Sequence, residues 1–131
     1  MSDKFGREIV LVIGLLFLIL ANILLLTAQD ITTIFIAAGV FGISTGINSP
    51  TLFAWTIDNG NQQFIGRGIS TLFIFLEIGI IIGAIIPAEI YANNNANFPK
   101  VFMFTLACAI IAFLLTFKAY LKARKNVIES F

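Results

Sequence analysis

Gly66 to Ala92 reads GRGISTLFIFLEIGIIIGAIIPAEIYA, and this stretch decides the class of the chain. From Gly68 to Tyr91 there are 24 residues, about 36 Å of helix against a hydrocarbon core of roughly 30 Å. One carboxylate, Glu77, falls near the middle of that span. An ionised group at such depth costs about 3 kcal/mol on insertion scales, while each surrounding Ile, Leu or Phe returns roughly 0.3 to 0.6, so the segment still inserts. Something must then solvate Glu77.

Outward from this stretch, three more apolar segments are separated by short polar breaks. The expected spans are 9–27, 31–55, 68–91 and 100–117, followed by a basic tail over 118–131. The first has no basic n-region, because Asp3 and Glu8 stand there, and it exceeds the usual length of a signal peptide's apolar core. It therefore reads as a retained helix. Ala28-Gln29-Asp30 is short enough to force the second segment back alongside the first, with Asp30 placed to cap it. A polar loop is expected over 57–67, and Pro99 suits the first turn of the fourth helix. With 59% hydrophobic and 11% charged residues, the 131-residue chain has too little polar surface to coat a soluble globule. The expected fold is an all-α membrane protein with four transmembrane helices.

Charge placement gives orientation. Lys4, Arg7, Arg67, Lys118, Lys122, Arg124 and Lys125 fall on one side and only Lys100 on the other, so both termini are expected in the cytoplasm, most simply of a plasma (inner) membrane. So uneven a count argues against insertion in both orientations. The basic residues gather at segment ends rather than in a stripe, which argues against a nucleic-acid partner. With no histidine and a single cysteine, Cys108, no metal site, cofactor or disulfide is expected. Paired nucleophile and base residues and phosphate loops are also missing from the sequence, so an enzyme is not expected.

The helices differ in where their polar residues lie. The first and fourth are nearly uniform aliphatic runs and are expected to face lipid. The second carries Gly39, Gly42, Gly46 and Ser49 on one face and Thr33, Ser44, Asn48, Thr51 and Trp55 on roughly the opposite one. The third has Gly79 and Gly83 opposite Ser70, Glu77, Ala84 and Tyr91. Both are expected to be enclosed. Gly42 with Gly46 and Gly79 with Gly83 are spaced for close helix packing. Pro50 and Pro87 each remove a helical donor and are expected to kink their helices. Ser44, Asn48, Thr51 and Trp55 are candidates to line a substrate pathway. The alternative is that they hydrogen-bond between helices or to their own backbone, as is usual in membrane bundles. Glu77 is a candidate either to carry a coupling proton or to pair with a cation or helix end.

The start of the chain, Ser2-Asp3-Lys4-Phe5-Gly6-Arg7-Glu8, resembles the D-R/K-x-G-R core of the loop signature of the major facilitator superfamily of secondary transporters. Asp3, Lys4, Gly6 and Arg7 match that core. The signature's upstream glycine would precede Met1, and Glu8 stands where the family usually has another basic residue. The physical sense of the pattern is a tight turn at Gly6, with Asp3 and Arg7 available for charge-assisted bonds to neighbouring helix ends.

The resemblance implies a larger protein, with twelve helices in two six-helix halves and the signature between the second and third helix of each half. The four segments then correspond to helices nine to twelve. The N-terminal half would be expected to carry an arginine in the second segment, and there is none. In the family, nine and twelve face lipid, ten lines the central cavity and eleven packs between halves. Missing N-terminal helices of the same transporter would then be a partner, beside the lipid bilayer and an unidentified small solute, with protons as a candidate coupling ion. Met1 is expected to be an internal methionine of a longer reading frame. The implied function is part of a secondary active transporter working by alternating access. The alternatives are a self-contained four-helix small multidrug exporter, whose family places its working glutamate in the first helix, and a non-transport membrane subunit or inert gene remnant.

Overall fold

The computed structural model describes residues 6–92, 94 and 97–129, with the side chains of Gln62 and of 123–129 outside the description. Asp3 and Lys4 of the signature lie outside the described residues. Four helices follow in order: α1 Arg7–Leu26, α2 Ile31–Asn59, α3 Ile65–Tyr91 and α4 Phe98–Glu129, with a short 3-10 turn at Gln62–Phe64 before α3. No strand occurs among the described residues, and all four helices are long and apolar enough to cross a membrane.

Three boundaries differ from the sequence expectation. The polar stretch 57–67 is mostly helical, since α2 runs on to Asn59 and α3 already begins at Ile65. The connection between them is the 3-10 turn, where Asn61 accepts a bond from the Gln63 backbone N–H. The basic tail continues α4 to Glu129, as expected of its alanine, leucine, lysine and arginine content, all strong helix formers. Asp30 occupies the N-cap of α2 in extended conformation, but its side chain makes no capping bond. Pro50 and Pro87 both lie inside continuous helices.

The packing is uneven. α1 lies between α2 and α4 and carries Leu11, Val12, Gly14, Ala21 and Asn22, all buried. α3 buries no residue and touches α2 and α4 only sparsely. Within these four helices, then, the uniformly aliphatic α1 is the enclosed one and the more polar α3 stands apart. The reason is physical: lipid tails are as apolar as leucine, so aliphatic composition does not separate a lipid-facing helix from a packed one.

Close approach is made at Gly14. A Cβ built there would lie 2.6 Å from Asn48 Cγ and 2.9 Å from its Nδ2. The other glycines behave differently. Gly39, Gly42, Gly46, Gly79 and Gly83 have open space where a side chain would stand.

Candidate functional site

The end of the bundle where α1 begins and α2 ends is built around Gly6 and Arg7. Gly6 sits before α1 with φ 81°, a backbone conformation that favours glycine. The chain then enters α1 with Arg7, whose Nε donates to Asp58 Oδ2 and whose Nη2 donates to Oδ1 at 3.2 Å. Each partner stands at the unfavourable pole of its own helix, a cation at the start of α1 and an anion at the end of α2. Each is also at the favourable pole of its neighbour, so the pair ties two antiparallel helix ends together. Both side chains are partly exposed, which limits the pair's direct contribution to about 1 kcal/mol at most. One residue on, Glu8 Oε1 accepts from Trp55 Nε1 at 3.1 Å. Two consecutive residues of α1 thus grip the last turns of α2.

Deeper in the bundle, the four candidate pathway residues are distributed as follows. Ser44 is fully buried and donates to the Gly14 carbonyl of α1 at 2.8 Å. Asn48 Nδ2 donates to Ser44 Oγ at 3.3 Å, and its Oδ1 is buried with no hydrogen-bond donor. Thr51 is buried and donates to its own helix at Ile47 O, 2.7 Å away. Trp55 makes the Glu8 bond. The polar face of α2 therefore meets α1 at Gly14 and Glu8.

A second polar contact joins α1 to α4. Thr105 Oγ1 donates to Asn22 Oδ1 at 2.7 Å, while Asn22 Nδ2 donates to Leu18 O at 2.9 Å. Both residues border an apolar cavity of about 600 Å³ between α1, α3 and α4, whose α3 wall includes Gly79, Gly83 and Pro87 and whose α4 wall includes Cys108. Thr105→Val should lower the stability of the folded protein by about 1 kcal/mol, because it leaves Asn22 Oδ1 facing hydrocarbon. A thermal unfolding series in detergent, with Asn22→Leu added to the same background, checks this; the double variant should recover part of the loss.

Glu77 is exposed along α3 and has no hydrogen bond or ion pair among the described residues. It is well separated from the Arg7 cluster along the chain axis, since α3 begins at Ile65 and Glu77 follows more than three turns later. Sequence reasoning gives no role to Asn22, Thr105, Gly14, Glu8 or Asp58. Their partners lie on other helices, so nothing local in the sequence singles them out.

Comparison with known proteins completes the picture. No solved structure matches the chain significantly. Over 124 residues it is 27% identical to Multidrug resistance protein 1 of Bacillus subtilis (strain 168), an alignment that takes in 95% of this chain and 31% of that protein. The chain therefore spans about a third of the length of this curated relative. The sequence pattern of the Major Facilitator Superfamily matches residues 1–130, nearly the whole chain, and the protein accordingly belongs to that family of membrane transporters.

Proposed function

We propose that this chain forms helices nine to twelve of a secondary active transporter that expels a small lipophilic solute by alternating access. The observation that carries the reading is the sequence relation, over nearly the whole chain, to a protein named for multidrug resistance. Four of twelve helices is about a third, which agrees with the 31% of the relative that the alignment covers. In such a transporter the substrate site lies near mid-membrane between two halves that rock against each other. The remaining helices would then be supplied by the rest of the same protein, in a plasma membrane with both termini of this segment cytoplasmic.

Within that reading the bonds of Ser44 and Asn48 favour joining α2 to α1 over contacting a solute, and Thr51 satisfies its hydroxyl on its own helix. Glu77 is the side chain that calls for a partner beyond these four helices. It pairs with a cation or helix end of the other half, with proton carriage as the competing role. Gly79 and Gly83 have open space beside them and line the cavity that α3 shares with α1 and α4, which leaves room for these helices to approach more closely.

The test is transport by the full-length protein in proteoliposomes, read with a lipophilic fluorescent dye under an imposed proton gradient. Dye movement should exceed that of protein-free vesicles several-fold and collapse when the gradient is removed. Equal rates with and without protein would exclude the proposal.

A further inference from the structure

α2 has 29 residues, about 43 Å of helix against a hydrocarbon core of roughly 30 Å, so its polar last turn, 56–59, stands beyond the apolar layer. There the chain reads Asp58-Asn59-Gly60-Asn61, and the Asp58 and Asn59 side chains are exposed. Asparagine is a chemically labile residue, and glycine after it removes the Cβ that would hinder attack by the following backbone nitrogen on the side-chain amide. The fold itself demands this glycine. A Cβ built at Gly60 would lie 2.9 Å from the Thr56 carbonyl oxygen. Packing therefore fixes the glycine, and the lability of the pair rests on the residue that precedes it.

The same fold keeps the pair unreactive. Asn59 Nδ2 donates to Trp55 O at 3.0 Å, which turns the side chain back along the helix, and the Gly60 N–H donates to Ile57 O at 3.3 Å. Attack of the Gly60 nitrogen on Asn59 Cγ requires both bonds to open, so the last turn must fray. That turn is the one α1 holds, through Arg7 on Asp58 and Glu8 on the Trp55 indole. Loss of the α1 grip and reactivity at Asn59 are thus coupled.

We propose that Asn59 is a site of spontaneous deamidation whose product unlocks the end of α2 from α1. The Gly60 nitrogen loses its proton and bonds to Asn59 Cγ, and ammonia leaves, closing a succinimide. Water then adds to one of the two imide carbonyls and cleaves its C–N bond, giving aspartate or isoaspartate. Water is the other reactant, and no electrons change hands. The product cannot remake the folded arrangement, because a carboxylate has no N–H to donate to Trp55 O. It also sets a second anion beside Asp58 at the negative pole of α2, whose last turn has no basic residue. Isoaspartate further lengthens the backbone by one methylene next to the C-cap glycine.

Deamidation is read by mass spectrometry without a transport assay, so the proposal stands or falls apart from the proposed function. Full-length protein in bilayers is incubated in heavy-oxygen water and digested, and the peptide containing Asn59 and Asn61 is followed over time. Solvent oxygen in the product marks conversion during the incubation. Asn59 should convert several-fold faster than Asn61, which precedes Gln62. Arg7→Gln should speed conversion at Asn59 several-fold by releasing the last turn. Hydrogen exchange of that turn should rise several-fold in Asn59→Asp and stay near that of the unaltered protein in Asn59→Gln, which keeps an amide donor. Equal conversion of Asn59 and Asn61, or a rate at Asn59 indifferent to Arg7→Gln, would overturn the site. Unchanged exchange in Asn59→Asp would overturn the unlocking.

Discussion

Replacing Gly14 with valine should destabilise the folded protein by about 3 kcal/mol, the upper part of the usual range for overpacking. The Asn48 amide already occupies the space that any side chain at 14 requires, with Cγ only 2.6 Å from the Cβ position. Neither neighbour can yield easily. Asn48 is held by its bond to Ser44 Oγ, and Ser44 in turn donates to the carbonyl of Gly14 itself. Pushing α1 from α2 by the width of a methyl group breaks that buried bond, and double-mutant work in membrane bundles values such bonds at about 0.6 kcal/mol, rising to about 1.7. Gly14→Ala should cost less than valine but in the same direction. Unfolding of detergent-solubilised protein measures the loss, and Asn48→Ala in the Gly14→Ala background should restore part of it. Recovery of nothing would show that the clash with Asn48 is not what makes Gly14 necessary.

Glu77→Leu should raise the apolarity of α3 and yet lower the stability of the full transporter, by about 3 to 5 kcal/mol if the substitution strands a buried cation. For insertion of α3 alone the sign is opposite. Removing the carboxylate from mid-span makes insertion about 3 kcal/mol easier. The two effects separate in one experiment that follows membrane insertion by glycosylation mapping and folded yield by size-exclusion chromatography. Glu77→Gln then distinguishes the two roles. If Glu77 pairs with a cation, glutamine retains part of the stability and gradient-driven transport persists. If it carries the proton, glutamine retains the fold, abolishes gradient-driven transport and leaves solute exchange intact.

Hydropathy alone makes the four helices legible, because a span of about 20 apolar residues is the strongest local signal a chain can carry. Their ends are less legible. The 57–67 stretch is polar and contains two glycines, but Gly60 falls just past the end of α2 and Gly66 in the first turn of α3, so neither interrupts a helix interior. Polarity by itself also suggests which helices are enclosed, and within these four helices it does not pick out α1. α1 looks like a lipid-facing run, yet Gly14, Ala21 and Asn22 form its contact line with α2 and α4. On α1, small and weakly polar residues mark the packed face that average hydropathy hides. At the candidate site, Gly6 and Arg7 are legible through their resemblance to a known loop signature. Asp58 and Trp55, the residues that Arg7 and Glu8 engage, are not, because they lie roughly fifty positions away and become neighbours only when α2 folds back along α1. Glu8, standing where the family usually has a basic residue, accepts the Trp55 indole N–H instead.

On this account α3 is the face that the segment turns toward the rest of a larger transporter, with Glu77 at the junction. It is tested most directly with a nitroxide spin label on Glu77→Cys, in full-length protein carrying Cys108→Ser and reconstituted in bilayers. Collisions with oxygen, which concentrates in lipid, are compared with collisions with a water-soluble nickel chelate. The account predicts low oxygen accessibility at position 77, with nickel accessibility low if the site is closed by protein and higher if it opens to a water-filled cavity. High oxygen accessibility with negligible nickel accessibility would place Glu77 against lipid and contradict the account.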